Sequence, residues 1–197
     1  DSKKISNVID VKGGNAILTD TNHQSGSDRV YEALCKFDPN FNYDLIINLQ
    51  GDMPIFDPKV LQNLVSKIKS EDITTLVCKA NLDEISDPNV VKAVISWDKN
   101  DKDNGTALYF SRTQVPYNAL TYWHHIGIYA WKRKSLKKFI SFPMSNLEKT
   151  EKLEQLRALE NGMIIKAVKT KDNFIGVDTQ KDLNKVRNKI KNKSESN

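Results

Sequence analysis

The sequence predicts a single α/β domain with a mostly parallel central sheet and an antiparallel excursion over about residues 90–131. Helical and strand-like segments alternate at both ends of the chain, whereas strand-like segments follow one another in the middle. The 197 residues, 39% of them hydrophobic, suffice for one domain with a real core but not for two large ones. Ligands of such sheets gather beyond the carboxyl ends of the strands, so we expect the functional site there.

Local patterns define the elements of the first half. Gly13 and Gly14 stop the first helix, and Ser25 and Asp28 have the spacing of a capping box that opens the second. A continuous apolar run of strand length is typical of a strand buried on both faces of a parallel sheet. The predicted order is a helix over 2–12, a strand over 15–19, a polar loop over 20–26, a helix over 27–37, the buried strand over 44–50 and a helix over 60–70.

The second half begins with strands rich in β-branched and aromatic residues. Gly162 ends the helix that follows them, and Thr179 and Asp182 cap the last helix. We expect one domain over 1–187 and a polar, disordered tail over 188–197. The predicted order is strands over 73–80, 90–97, 106–112 and 124–131, a helix over 147–161, a strand over 163–169 and a helix after 178.

Composition excludes several classes of protein. No apolar run approaches the roughly 20 residues of a membrane span, and the first residues lack the apolar core of a signal peptide, so we expect a cytoplasmic protein without membrane insertion. Cys35 and Cys78 stand alone, which argues against a disulfide framework or a zinc site.

The basic residues do not indicate a nucleic-acid surface. The net charge is +5, but Lys dominates, and the runs over 132–138 and 181–193 lack the interleaved Arg and aromatic residues of such a surface. Solvated helix faces are the preferred interpretation, and Arg133 and Arg187 then count as surface charge. Arg29, Arg112 and Arg157 lie outside the Lys runs. Because arginine is scarce in this chain, these positions are predicted to need the planar, forked guanidinium and not only its positive charge.

Two lone aspartates are candidate magnesium ligands. Asp52 and Asp178 each follow an apolar strand beside a glycine, and Mg²⁺ typically takes one or two carboxylates together with water and phosphate oxygens. The alternative is structural and equally compatible with the spacing: Asp52 would stabilise a turn, and Asp178 would join Thr179 in capping a helix.

Other polar groups carry weaker signals. The loop over 22–26 offers an imidazole, an amide, a hydroxyl and a glycine just before a helix N-terminus, which suits a nucleotide, although such loops are common. His124 and His125 face opposite sides of a strand, so only one can point at a pocket, and a packed histidine is the commoner case. Glu154 and Arg157 are three apart on a helix and can simply pair.

Taken together, these segments resemble the family of 3-deoxy-manno-octulosonate (Kdo) cytidylyltransferases, the CMP-Kdo synthetases. The motifs follow the family's order and cover nearly the whole chain. They are DTNHQSGSDR (20–29), NLQGDMP (48–54), DPNVVKAV (87–94), ALYFSR (107–112), HHIGIYAW (124–131), LEKTEKLEQLRALENG (147–162) and GVDTQKDLNKV (176–186).

The resemblance implies a fold of the nucleotide-diphospho-sugar transferase type, a homodimer, and the reaction of CTP with Kdo to give CMP-Kdo and pyrophosphate for lipopolysaccharide biosynthesis. Asp52 and Asp178 match the family's catalytic magnesium ligands. His23, Gln24, Ser25 and Gly26 match part of the nucleotide site. The positions that match the sugar-acid site are Gln50, Arg112, His125, Tyr129, Glu154 and Gln155.

Two features differ from the family pattern. Met53 stands where the family usually has Glu, and nothing matches the family's first strand and its triphosphate loop. We therefore expect a segment on the order of 40 residues or more, at least a β-α-β unit, to be missing before Asp1. Two alternatives stay open: a non-catalytic remnant or subunit that needs a separate triphosphate-binding segment, and a cytidylyltransferase for another sugar acid of the sialic-acid type.

Overall fold

A computed structural model describes residues 2–68, 71–171, 174, 176–177 and 179–194. The helices are α1 Lys3–Val11, α2 Gly26–Phe37, α3 Lys59–Ser66, α4 Leu82–Ser86, α5 Arg133–Ile140, α6 Asn146–Glu151, α7 Gln155–Glu160 and α8 Gln180–Ser194. The strands are β1 Leu45–Asn48, β2 Ile73–Lys79, β3 Lys92–Trp97, β4 Asn104–Ser111, β5 Trp123–Lys132 and β6 Ile165–Lys169. Within these ranges no helix is both long and apolar enough to cross a membrane.

The described strands form one sheet in the order β1-β5-β2-β6-β4-β3, and the start of β5 also pairs with β3. The α/β class and the antiparallel excursion are confirmed, because β3, β4 and β5 pair antiparallel. The strands were expected to pair mostly in parallel, but most pairs are antiparallel. Among the described strands only β2 and β6 form a parallel pair. β1, β2 and β6 run in the same direction. β5 lies between β1 and β2 and is antiparallel to both.

Helices cover the two faces of the sheet. Leu34 of α2, Leu136 of α5 and Leu156 of α7 pack on one face, and Val60 and Leu64 of α3 pack on the other. Burying such side chains stabilises the fold by about 1.5–3 kcal/mol each. Because α2 and α7 lie on the same face, their first turns are brought together although they are far apart in sequence.

Strand β1 corrects the expectation of a strand buried on both faces. Ile46 and Asn48 are buried, whereas Leu45 and Ile47 are 41% and 37% exposed. β1 pairs with β5 at the edge of the described sheet, and no described core cluster includes its second face. A continuous apolar run fixes strand length but does not show how many layers cover the strand.

Three further predicted elements differ in the structure. Residues 15–19 form no strand, and their backbone instead receives a hydrogen bond from Lys36, whose Nζ lies 2.8 Å from the Leu18 carbonyl oxygen. The helix over 147–161 divides into α6 and α7 because Lys152 adopts a left-handed conformation, with φ of 56°. Gly162 ends α7 as predicted, with φ of 71°. Helix α8 continues to Ser194, past the expected start of the tail at 188.

Arg133 is not the surface charge that its Lys-rich surroundings suggest. Its side chain is largely buried and forms an ion pair with Asp38. Nη2 also donates to the Asp38 carbonyl oxygen at 2.8 Å, and the guanidinium lies over the Phe41 ring. The pKa of the Asp38 carboxyl is lowered to about 2, because the hydrogen bonds from Asn42, Tyr43 and Arg133 outweigh burial, which is the largest single effect and acts in the opposite direction.

Candidate active site

A group of polar side chains lies on the sheet face that α2, α5 and α7 cover. His125 is 7% exposed, its Nε2 lies 3.0 Å from Thr75 Oγ1, and its ring packs against Phe110 and Tyr129. Burial, with a smaller contribution from His124, lowers the pKa of His125 to about 3. At neutral pH this imidazole is therefore uncharged and offers hydrogen bonds without a positive charge.

His124 faces the other side of β5, as the strand alternation predicts. Its Nδ1 lies 3.3 Å from Glu84 Oε1. Burial lowers its pKa, and the Glu84 carboxylate acts in the opposite direction. The resemblance assigns His125, and not His124, to the sugar-acid site. The two histidines lie on opposite faces of β5, as successive strand residues do.

Glu154 opens α7 within this polar group. Its Oε1 accepts a hydrogen bond of 2.9 Å from Ser27 Oγ, and its Oε2 is buried without a partner among the described residues. Burial raises the pKa of Glu154, and the hydrogen bond from Ser27 acts in the opposite direction. The pKa of Tyr129 is raised well above its ordinary value, first by burial and then by the Glu154 charge.

The neighbouring Gln155 is also buried with an unused donor. It is 5% exposed, and its Nε2 has no partner in the described part of the chain. The simple pairing of Glu154 with Arg157 is wrong, because Arg157 binds Glu148 through Nε at 2.8 Å and Nη2 at 2.5 Å. The first turn of α7 thus keeps hydrogen-bonding capacity for a ligand.

Side chains of the loop over 22–26 bind other groups of the protein. His23 Nε2 pairs with the Glu32 carboxylate, and Ser25 Oγ caps α2 by accepting from the Asp28 N–H at 3.3 Å. Gln24 and Gly26 are exposed. A Cβ atom on Gly26 would lie 3.4 Å from Gln50 Nε2, so the loop and the end of β1 approach closely.

The magnesium prediction rests on one described residue. Asp52 is exposed, and its carbonyl oxygen accepts a 2.9 Å hydrogen bond from the Val177 N–H. Asp178 lies outside the described residues, but this bond brings the residue before it to Asp52. Among the described residues no three His, Cys, Asp or Glu side chains cluster as a metal site.

Arg112 is anchored to the main chain. Nε donates to the Glu151 carbonyl oxygen at 2.9 Å, Nη1 to Pro88 at 3.0 Å and Nη2 to Lys152 at 3.3 Å. Three of the five N–H groups of the guanidinium are thus used by described carbonyls, which fixes its position. The Arg112 backbone N–H also donates to Glu151 Oε2 at 3.0 Å.

Lys92 stabilises the region around Arg112 from the protein interior, and this role was not predicted from the sequence. Its side chain is fully buried, and Nζ donates to the carbonyl oxygens of Asp87, Val90 and Arg112 at 2.8, 2.7 and 2.7 Å. Burial lowers the pKa of this ammonium. The one signal in the sequence is a lysine within an apolar strand segment, a position that usually faces the core.

The comparisons with known proteins identify the family. A family model described as "Cytidylyltransferase" matches residues 1–169. The 3-deoxy-manno-octulosonate cytidylyltransferase of Paramagnetospirillum magneticum is 45% identical over 191 residues, which cover 95% of this chain and 77% of that protein. The chain belongs to the 3-deoxy-manno-octulosonate cytidylyltransferase family. The resemblance found in the sequence is thereby confirmed.

Other members and solved structures agree with this family. The cytidylyltransferases of Rhodospirillum centenum and Brucella ovis are 42% and 44% identical, over 93% and 95% of this chain and 72% and 75% of theirs. A CMP:2-keto-3-deoxy-manno-octonic acid synthetase complexed with CTP superimposes with a TM-score of 0.85 at 32% identity, covering 98% of this chain and 79% of that one.

A more distant neighbour shows the fold alone. An apo UDP-glucose pyrophosphorylase superimposes with a TM-score of 0.65 at 14% identity, over 98% of this chain and 68% of its own. The cytidylyltransferase family thus shares its sheet and helix arrangement with other nucleotidyltransferases. The predicted fold type is confirmed, whereas the roles assigned to single site residues stay predictions.

Proposed function

We propose that this chain forms CMP-Kdo and pyrophosphate from CTP and Kdo. The observation that carries the proposal is the 45% identity to a 3-deoxy-manno-octulosonate cytidylyltransferase over 95% of the chain. The polar group around Tyr129 supports it independently. A hydroxyl-rich acid needs neutral and charged hydrogen-bonding partners in one place, and the chain provides them.

The chemistry is a nucleotidyl transfer. The anomeric hydroxyl oxygen of Kdo bonds to the α-phosphorus of CTP as the bond to the bridging oxygen of pyrophosphate breaks, and the hydroxyl proton passes to solvent water. Catalysis of such transfers consists largely of positioning and charge neutralisation. We assign the loop of His23, Gln24, Ser25 and Gly26 to the nucleotide.

The sugar acid would lie against the face that carries Glu154. His125 is uncharged at neutral pH, and Gln155 keeps a buried donor, so both suit hydroxyl groups. Gln50 and Tyr129 complete this set of neutral groups. Arg112, whose guanidinium is already fixed by three carbonyls, keeps N–H groups for the Kdo carboxylate.

Mg²⁺ is the proposed cofactor, with Asp52 and Asp178 as its protein ligands. The two carboxylates suit a hard cation that keeps water and phosphate oxygens as further ligands, and the bond from the Val177 N–H to the Asp52 carbonyl oxygen brings the residue before Asp178 in the chain to Asp52. When bound there, the ion would neutralise phosphate charge and lower the pKa of the attacking hydroxyl.

The proposed oligomeric state and cellular location rest on the same family membership. A homodimer is proposed, and the exposed side chains of Leu108, Tyr117 and Leu120 on the antiparallel excursion offer apolar surface to it. Light scattering measures that state. Action in the cytoplasm, where CTP is available, stays a prediction.

The first experiment is pyrophosphate release from CTP, Kdo and Mg²⁺. We expect release that requires Kdo and stops when magnesium is chelated. Asp52→Ala should lower kcat by about 10²-fold or more, because charge neutralisation at the phosphates is lost. The matched control is Asp83→Ala, an exposed aspartate of α4, which should retain wild-type rates.

Two further arms separate the alternatives. A chimera that carries the N-terminal segment of the Paramagnetospirillum relative before residue 1 shows whether an inactive chain needs that segment. A panel with a sialic acid in place of Kdo tests the other sugar-acid class. Kdo-independent release, or an Asp52→Ala variant as fast as wild type, contradicts the proposal.

A further inference from the structure

The Asn48 side chain is a buried amide that sequence reasoning did not single out. It occupies the last position of β1 and is 4% exposed. Its Nδ2 has no hydrogen-bond partner among the described residues. Buried polar groups in folded proteins are nearly always hydrogen-bonded, so a buried amide donor without a protein partner calls for a specific reason.

The strand pairing places Asn48 in the proposed sugar-acid site. Asn48 lies directly opposite Tyr129 in the antiparallel pair of β1 and β5. Residues directly opposite each other in such a pair project to the same face with their Cβ atoms about 5 Å apart. Asn48 therefore shares the face of Tyr129, whose pKa is raised first by burial and then by the Glu154 charge.

A second route along the chain leads to the same place. Gln50 follows Asn48 by two residues, and its amide approaches Gly26 at the start of α2. The next residue, Ser27, donates to Glu154. Asn48 is thus flanked across the strands by Tyr129 and along the chain by Gln50, both of which are assigned to the sugar acid.

Besides Trp131 Nε1, three buried atoms of this face lack partners within the described chain, and they are chemically complementary. They are the donors Asn48 Nδ2 and Gln155 Nε2 and the acceptor Glu154 Oε2. A polyhydroxy acid presents hydroxyl groups, which both donate and accept, together with a carboxylate that accepts. Such a ligand can satisfy all three atoms, which an apolar ligand cannot.

We propose that Asn48 is a further sugar-acid-binding residue, whose Nδ2 donates a hydrogen bond to a hydroxyl or carboxylate oxygen of Kdo beside Tyr129 and Glu154. The proposal rests on the function proposed above and adds a contact to it. A site that offers an amide donor to a substrate oxygen also discriminates against analogues that lack the oxygen. Asn48 thereby contributes to the choice of sugar acid.

The test replaces the amide by an apolar side chain with the same branching and the same number of heavy atoms. Asn48→Leu removes the donor and leaves no buried polar group, so the free energy of unfolding should stay the same or rise. The KM for Kdo should rise about tenfold or more, as expected for one lost hydrogen bond to a charged or polar substrate group, while the KM for CTP stays within about twofold. Asn48→Asp, which keeps the shape but loses the donor, should also raise the KM for Kdo.

Asn104→Leu is the matched control. Asn104 is 2% exposed, also has an unpartnered buried atom, and lies at the start of β4 opposite β6, where its amide binds Asp101. This variant should lose stability and keep the wild-type KM for Kdo. A KM for Kdo in Asn48→Leu within twofold of wild type, or an equal rise in Asn104→Leu, overturns the proposal.

Calorimetric titration with Kdo alone separates this proposal from the reaction. The titration uses the chain, or the N-terminal chimera if that is the form with turnover. If wild type binds Kdo but makes no CMP-Kdo, the proposed reaction fails, and the Kd of Asn48→Leu still decides on Asn48, with a tenfold weakening expected. If wild type binds no Kdo, both proposals are overturned.

Discussion

Two neighbouring regions of the molecule treat buried polar groups in opposite ways. Around the fully buried Lys92 and the half-buried Arg112 the donors are matched with carbonyl oxygens or carboxylates of the chain. Around Tyr129 the buried atoms of Asn48, Glu154 and Gln155 lack such partners within the described residues. The difference indicates different roles: the first region fixes the fold, apart from the Arg112 N–H groups proposed for the Kdo carboxylate, and the second keeps its hydrogen bonds for a ligand.

The two regions are mechanically connected at the break between α6 and α7. Glu148 of α6 and Arg157 of α7 form a buried bidentate pair across the break, and Arg112 binds the carbonyl oxygens of Glu151 and Lys152 within it. Glu154 follows the break directly. The paired region therefore determines where the unpaired groups of the first α7 turn point.

The largest predicted effect comes from breaking the buried pair. Arg157→Leu leaves the Glu148 carboxylate buried without its partner, and the free energy of unfolding should fall by about 3–5 kcal/mol in urea denaturation. Glu148→Leu in the same chain should restore part of the loss. Arg187→Leu on the exposed side of α8 is the control, with a change within about 0.5 kcal/mol. Equal effects of Arg157→Leu and its control would erase the contrast between the regions.

The next effect concerns the buried ammonium. Lys92→Met keeps the side-chain length but leaves three carbonyl oxygens without their donor, and the loss of stability should be about 3 kcal/mol. Lys79→Met, on an exposed position of β2, should change stability by less than about 0.5 kcal/mol. A Lys92→Met variant as stable as wild type shows that the three hydrogen bonds do not stabilise the fold.

The smallest predicted effect is a gain in stability, and it concerns Glu154 in the region around Tyr129. Because the native pKa of Glu154 is raised, the native state binds its proton more tightly than the unfolded chain, and stability is lost as pH rises from the unfolded value through the native pKa. Glu154→Gln should remove this loss and stabilise the protein by up to about 1 kcal/mol at the high end of that window. It should also raise the KM for Kdo.

Unfolding measured across pH with Glu160→Gln as the control sharpens this prediction. Glu160 is exposed on the same helix, and a glutamine there can still accept the hydrogen bond that the Leu147 N–H donates to Glu160 Oε2 at 3.0 Å, so this variant controls for the substitution itself. If Glu154→Gln is less stable than wild type at every pH, Glu154 belongs to the structural region and the division between the two regions needs to be redrawn.

The sequence by itself determined the α/β class, the antiparallel excursion, the family and the cap of α2 by Ser25. These features depend on periodicity, turn residues and motif order, which are local properties that the printed chain carries. His125 and Glu154 were also named from the motifs before their surroundings were known. The lowered pKa of His125 and the raised pKa of Glu154 could not be predicted from the sequence, because burial causes both shifts and depends on the whole fold.

Only the tertiary structure decided which charges are architectural. Arg133 lies in a Lys-rich run and Lys92 in an apolar strand, yet both are buried against partners far along the chain or in the preceding loop. It also placed β5 between β1 and β2, and so put Asn48 opposite Tyr129. Long-range pairing sets these contacts, because the free energy of burying a polar group depends on partners that sequence neighbours do not specify.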